Sequence, residues 1–235
     1  LFRSIVRGAD LVVCLSVDER QWIEGVEGHP PVAFVPPWSP SIELQSPDWR
    51  SRRGALFAAG WSAGAESPNG DGLVWLVEEV LPEVARRAPE LVVDVTGADP
   101  PDTLRTLATP SLRFVGALDD MAAAHGRARV AVAPVRYGAG VKLKVMEAIQ
   151  SGTPVVTTSV GAEGFTDELR DAIVALDDPL AFGAAVARLA VDRHAWFEQR
   201  LRIELARRRA LDAGMPTVAA ALLDALDRRP AHASR

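Results

Sequence analysis

The stretch Ala133-Pro134-Val135-Arg136-Tyr137-Gly138-Ala139-Gly140-Val141-Lys142-Leu143-Lys144-Val145-Met146-Glu147-Ala148 concentrates residue types that handle anions. Gly138 and Gly140 let the backbone approach a ligand closely and adopt positive φ. The helix expected next, over 141–151, turns its free N–H groups and positive dipole end toward that loop. Arg136, Lys142 and Lys144 add side-chain charge. Lys144 and Glu147 stand three apart and so share one helical face. Such a pair can divide the recognition of a nucleotide. The cation takes a phosphate, and the carboxylate accepts hydrogen bonds from two ribose hydroxyls. On its own the string also reads as a solvated turn with ordinary surface charges. A second glycine loop, Gly161-Ala162-Glu163-Gly164-Phe165, follows the apolar run Pro154-Val155-Val156-Thr157. Two adjacent strand ends therefore present glycine loops to one edge of a sheet.

These loops need elements to hold them, and apolar runs supply the strands. Leu11–Leu15 is apolar on both faces and reads as a strand buried in a parallel sheet, with Ser16 capping the helix that follows. Val32–Val35 is a second run, ended by Pro36-Pro37. Residues 36–53 are rich in Pro, Ser and Arg and read as a linker or long loop. Further strands are expected at 55–59, 91–95, 112–116, 130–133, 154–157 and 172–175. Leu73, Leu76, Val77, Val80, Leu81 and Val84 recur at helical spacing, with a kink or break expected at Pro82. Other helices are expected at 118–127, 180–191, 193–213 and 216–227. Strands alternating with helices from 55 to about 176 indicate βαβ units. The fold class is therefore α/β, a Rossmann-like doubly wound parallel sheet with helices on both faces. Ligands of such sheets sit outside the carboxyl ends of the strands. That marks Gly60, Gly97 and Gly116 besides the two loops.

Composition narrows the function. The chain has 235 residues, 48% hydrophobic and 24% charged, which is ordinary globular composition. Lys plus Arg total 26 against 31 Asp plus Glu, a formal net charge of −5. A dedicated nucleic-acid binder would show a basic excess instead. A lone Cys14 excludes an internal disulfide. His29, His125, His194 and His232 have no zinc-site spacing, and no metal site is expected. No apolar run reaches the roughly 18 residues that a bilayer span needs. Gly-x-Gly-x-x-Gly follows no early strand, which disfavours a dinucleotide dehydrogenase.

The string from Pro134 to Gly164 resembles the nucleotide-sugar site of group 1 (GT-B fold) glycosyltransferases. Ala9–Ser16 is similar to the last strand of the acceptor-binding N-terminal domain of that family. Phe57–Gly60, Pro68-Asn69 and Val80-Leu81-Pro82 resemble the first βα unit of its donor-binding domain. Phe114-Val115-Gly116 resembles the turn where the donor base rests. The resemblance implies that Glu147 binds the donor ribose and Lys144 neutralises its phosphates. Arg136, Tyr137 and the Gly138-Ala139-Gly140 backbone would line the diphosphate and sugar, with Lys142 beside them. Glu163 and Gly164 would close the pocket, and Gly60, Gly97, Val115 and Gly116 would complete the donor site. Arg136, Lys144 and Glu147 would carry catalysis, the two cations stabilising the negative charge that builds on the departing diphosphate while Glu147 holds the ribose.

The resemblance further implies a metal-independent hexosyltransferase with no cofactor beyond its nucleotide-sugar donor. The acceptor would be a saccharide, a lipid-linked or a small molecule. Residues 1–37 would be the truncated end of the N-terminal domain plus linker, 38–214 the donor domain, and 215–235 a C-terminal helix and tail. The chain would then be a fragment whose N-terminal domain is missing. The location implied is cytoplasmic, with possible peripheral contact at the inner membrane face. No Asp-x-Asp occurs. The sequence departs from the family pattern in two places. Many relatives carry two Glu eight positions apart across this loop, and here Arg136 and Tyr137 stand where the first would be. The basic pair usual after the first donor-domain strand is replaced by Trp61-Ser62-Ala63-Gly64. Two other functions share the architecture: a non-catalytic nucleotide-sugar-binding module and a nucleotide-sugar epimerase.

Other residues have plainer readings. His125 is expected to cap or pack a helix end, and Trp61 to pack or to stack on a base or sugar. Asp119-Asp120 should start a helix. Cys14 reads as a core residue. The Arg200–Arg209 stretch, interleaved with Glu198 and Glu204, reads as a solvated face, the alternative being an anionic membrane contact.

Overall fold

The computed structural model describes residues 2–35, 48–61 and 63–212, with isolated positions at 220, 223 and 227. The first segment folds as α1 (Phe2–Arg7), β1 (Val12–Cys14), α2 (Val17–Glu24) and β2 (Val32–Phe34). Ser16 caps α2, its hydroxyl accepting from the Asp18 and Glu19 amides. β1 and β2 pair in parallel as a two-stranded sheet. This corrects the expectation that Leu11–Leu15 is buried on both faces: Val13 is 38% and Leu15 47% exposed. A two-stranded sheet cannot cover both faces of its strands. Cys14 is buried with Val6 and Ile23, as expected.

The main sheet has the order β5-β4-β3-β6-β7-β8, every pairing parallel. Its strands are β3 (Arg53–Ala58), β4 (Val93–Thr96), β5 (Leu112–Gly116), β6 (Ala128–Ala133), β7 (Val155–Thr157) and β8 (Val174–Ala175). Both faces of the central strands are covered, so β6 after Arg129 and β7 are almost wholly apolar, whereas β4 and β5 carry the surface pair Asp94–Arg113. Along β6, Val130 and Val132 enter one core with Leu76, Val80 and Phe182. Ala131 and Ala133 enter the other with Val145, Ile149 and Phe165. The covering helices are α3 (Pro68–Trp75), α4 (Leu81–Arg87), α5 (Asp102–Arg105), α6 (Met121–Arg127), α7 (Leu143–Gln150), α8 (Asp167–Ala172), α9 (Pro179–Val191) and α10 (Arg193–Asp212).

Pro82 acts as expected. It has no N–H, so the helix before it widens into a π turn over Leu76–Val80, and the Leu81 amide bonds the Leu76 carbonyl. α4 then begins with Pro82 in its first turn. Asp120 caps α6 through the Ala123 amide at 2.8 Å. The helix start lies at Met121, three residues later than the spacing suggested.

The linker reading of 36–53 fails over its described part. Trp49 is buried against Trp196 at 5.7 Å, and Arg52 is fully buried. The Arg52 guanidinium donates to the carbonyls of His125 and Ala128 and to Thr153 Oγ1. Residues 36–47 lie outside the described residues, as does most of the expected helix 216–227. The solvated-face reading of 200–209 is also corrected in part. Arg207 is buried, and Arg200 lies over the Trp196 ring at 5.2 Å, while Arg202 and Arg208 pair with Glu198 and Glu204 on the surface.

Candidate donor-binding site

The strand order reverses between β3 and β6, and there the connections leave in opposite directions and open a crevice at the carboxyl ends. From β3 the chain passes Gly60 and enters α3, which Ser67 caps through the Gly70 amide. α3 lies directly on the end of β6. A Cβ on Gly72 would fall 2.2 Å from the Pro134 carbonyl oxygen, so only glycine allows this approach. Arg136 and Tyr137, from the β6 side, fasten the two loops together. The Arg136 guanidinium makes a bidentate pair with Asp71, and the Tyr137 hydroxyl donates to the Glu66 carbonyl. The Asp71 carboxylate holds the Arg136 pKa above its ordinary value.

The amino end of α7 faces this crevice. α2, α3, α6 and α9 each have a Ser or Asp whose side chain caps the first turn. α7 has Lys142 in that position and no side-chain cap. Lysine offers no acceptor and its charge opposes the helix dipole, so the cap residue satisfies none of the first-turn amides. The Lys142 ammonium folds back onto the carbonyls of Gly138 and Gly140, at 3.1 and 2.7 Å, and lies 3.7 Å from Glu163. Burial lowers its pKa, with Glu163 opposing. Lys144, one residue into α7, donates to Asn69 Oδ1 and sits 4.6 Å from the centre of the Phe57 ring. Asn69 Nδ2 in turn donates to the Gly60 carbonyl at 2.6 Å. Burial pushes the Lys144 ammonium down to about 7, with Glu147 pulling the other way. The Glu147 carboxylate is 39% exposed, and His125 lies 3.8 Å behind it.

The second glycine loop abuts the same region. Thr158 Oγ1 donates to the Val135 carbonyl and accepts from the Gly161 amide. Gly164 has φ +81, and its amide donates to Asp18 Oδ2 at 2.9 Å. Between this loop and the N-terminal unit lies a cleft of about 730 Å³, lined by Trp22, Asp18, Glu19, Ala139, Gly140 and Glu163 among others.

The structure thus brings Gly60, Lys144 and Glu147 together in one group, and Gly138, Gly140, Lys142, Glu163 and Gly164 in another beside it. Arg136 and Tyr137 are engaged by α3 and its preceding loop. Gly97 abuts Ala59 just past the end of β3, and its amide donates to the Gly116 carbonyl at 2.8 Å, with Val115 beside it at the end of β5. Trp61 packs: it is buried against Phe114 at 6.4 Å. Asn69 was not among the expected site residues. Its sequence signals were the likeness of Pro68-Asn69 to the first βα unit of the donor domain and its place in the first turn after a Ser-Pro cap. Among the described residues no group of three His, Cys, Asp or Glu could hold a metal ion, and no helix is long and apolar enough to cross a membrane.

A family model described as glycosyl transferases group 1 matches residues 59–192. A search of curated proteins returns no match. Among solved structures, a mutant of S. aureus TarM in complex with Fondaparinux, alpha-GlcNAc-glycerol and UDP superposes with TM-score 0.70 at 12% identity over 96% of this chain. WaaG, a glycosyltransferase involved in lipopolysaccharide biosynthesis, gives 0.62 at 18% identity over 91%. Anabaena HepE in complex with UDP and glucose gives 0.63 at 12% over 94%. The chain spans 45%, 61% and 64% of those three proteins. The structural likeness shows the fold, and the family match, which takes in more than half of the chain, identifies it as a member of the group 1 glycosyl transferases.

Proposed function

We propose that this chain is the donor-binding half of a metal-independent enzyme that moves a hexose from a nucleoside diphosphate sugar to an acceptor hydroxyl. The observation that carries this reading is the pairing on α7. An uncapped helix start and the Lys144 ammonium face the crevice, and a carboxylate, Glu147, follows within one turn. In this reading the diphosphate lies on the α7 amides with Lys144 and Lys142 at its oxygens, and the Glu147 carboxylate accepts from the ribose hydroxyls. Arg136, with the Gly138-Ala139-Gly140 backbone, borders the sugar, and Gly97, Val115 and Gly116 border the base. As the bond from anomeric carbon to phosphate oxygen breaks, the electron pair stays with the diphosphate. Preorganised cations and amides stabilise that growing charge without reorganising. UDP in the TarM and HepE complexes supports a nucleoside diphosphate as the ligand class.

Residues 1–37 would close an acceptor-binding domain, which would complete the active enzyme. A second reading is favoured by length. Because the chain spans 45–64% of its structural neighbours, by itself it would hold the donor and transfer nothing. Calorimetry with UDP, GDP and NAD tests the first point. Binding of UDP or GDP, with no heat from NAD and none after Lys144→Ala, is expected; equal binding by Lys144→Ala would refute it. Sugar transfer by the full-length gene product, and none by this chain, separates the two readings.

A further inference from the structure

His125 lies in the last turn of α6 with its side chain 1% exposed, and among the described residues neither ring nitrogen has a hydrogen-bond partner. Its backbone is firmly held. The His125 carbonyl accepts from Arg52 Nη1 at 3.2 Å and from Thr153 Oγ1 at 2.8 Å. The backbone at His125 is therefore fixed, and the buried ring lies with Nε2 3.8 Å from Glu147 Oε2. That gap is too long for a hydrogen bond, and a small rotation of the glutamate side chain closes it. A buried imidazole without partners is costlier than an apolar side chain of its size, and the Glu147 carboxylate is an acceptor close beside it.

We infer that His125 is the positioning residue for Glu147. The inference rests on the donor-site reading given above. The exposed oxygen of Glu147 takes the ribose hydroxyls, and the inner oxygen, Oε2, swings onto His125 Nε2–H. The hydrogen bond fixes the carboxylate rotamer, so that both hydroxyls meet a preorganised acceptor. His125 itself never touches the ligand.

The test compares affinities of the full chain for UDP and GDP with those for their 2′,3′-dideoxy forms. The native chain should prefer the hydroxylated ligand by tenfold or more. His125→Leu should collapse that preference to within about twofold while leaving dideoxy binding unchanged, since a lost hydrogen bond to a carboxylate carries a factor of this order. His125→Gln, which keeps a donor, should restore most of it. Equal weakening of both ligands in His125→Leu would mean a merely structural role and would overturn the inference. Glu147→Gln separates the layers. If it leaves the preference intact, the donor-site reading itself fails. If it abolishes the preference and His125→Leu does not, only the role of His125 fails. Should His125→Leu not fold, ¹⁵N NMR of the native imidazole decides. Nε2 must shift on adding the hydroxylated ligand and stay still with the dideoxy form, and an unmoved Nε2 in both refutes the assignment.

Discussion

Asn69 Oδ1 accepts a hydrogen bond from Lys144 Nζ across the switch point of the sheet, although the two residues are 75 positions apart in sequence. The other end of the same amide holds the Gly60 carbonyl. One side chain thus ties the end of β3, the start of α3 and the start of α7. Hydrogen bonds to charged groups contribute about 1.5–3 kcal/mol. Asn69→Ala should accordingly weaken UDP or GDP binding by about tenfold or more, as titration calorimetry would read. The same bond supports the free chain, so the melting temperature should fall as well, by about 2–4 °C for each kcal/mol lost. An unchanged affinity would mean that Lys144 orients itself.

The depressed pKa of Lys144 makes donor binding depend on pH. Burial lowers its pKa to about 7, so the free chain carries a partly neutral amine at neutral pH. A bound diphosphate is an opposite charge beside the group and raises its pKa again. Binding therefore takes up a proton above pH 7. Affinity should be flat below that pH and fall as pH rises from about 7 toward 9, approaching tenfold per unit until the bound-state pKa is passed. Calorimetry in buffers of different ionisation enthalpy measures the uptake directly. Lys144→Met should bind weakly and lose this dependence, and a Lys144→Met chain with the same slope would assign the proton to another group.

Much of this arrangement was legible in the sequence because it follows from local chemistry. The parallel strands announce themselves as short runs such as Val130–Ala133, apolar on both faces since helices cover both. The spacing of Lys144 and Glu147 alone puts them on one helical face. What was not legible depends on distant partners. Asn69 gains a role only through Lys144, and Arg136 is occupied by Asp71, which lies 65 residues earlier. His125 looked like a helix-end residue, and it is one, but the carboxylate beside it comes from the next helix. α5 and α8 are short and carry no apolar period, so they gave no sequence signal.

Lys142 at the start of α7 separates stability from binding. Lys142→Ser would place a hydroxyl acceptor where α7 now has none, a change that contributes about 1 kcal/mol elsewhere. Against this stands the loss of the ammonium contacts to the Gly138 and Gly140 carbonyls. The two effects are of similar size, so urea unfolding of the free chain should change by no more than about 1 kcal/mol. Diphosphate binding should weaken by about tenfold or more, because the new hydroxyl competes for the same amides and one cation is gone. A serine variant that binds as tightly as the native chain would show that the anion lies elsewhere.

Arg52 tests how the fold supports the site. Its composition-based surroundings, rich in Pro, Ser and Arg, suggested a solvated linker, yet the guanidinium is fully buried and lies 5.2 Å from the Trp196 ring. Burial, with Arg200 nearby, brings its pKa down to about 10, so it remains a cation at neutral pH. One nitrogen, Nη1, reaches two carbonyls and a hydroxyl while the planar group lies beside the Trp196 ring, a combination that the compact, strongly hydrated ammonium of lysine fits poorly. Arg52→Lys and Arg52→Leu should both destabilise the chain, the latter by about 3 kcal/mol, since the Ala128 carbonyl is left buried without this donor. Urea unfolding measures the loss. Because Arg52 also holds the carbonyl of His125, the conservative Arg52→Lys variant should reduce the preference for hydroxylated over dideoxy ligands while the chain is still folded. A variant that loses stability but keeps the full preference would show that Thr153 alone is enough to hold the end of α6.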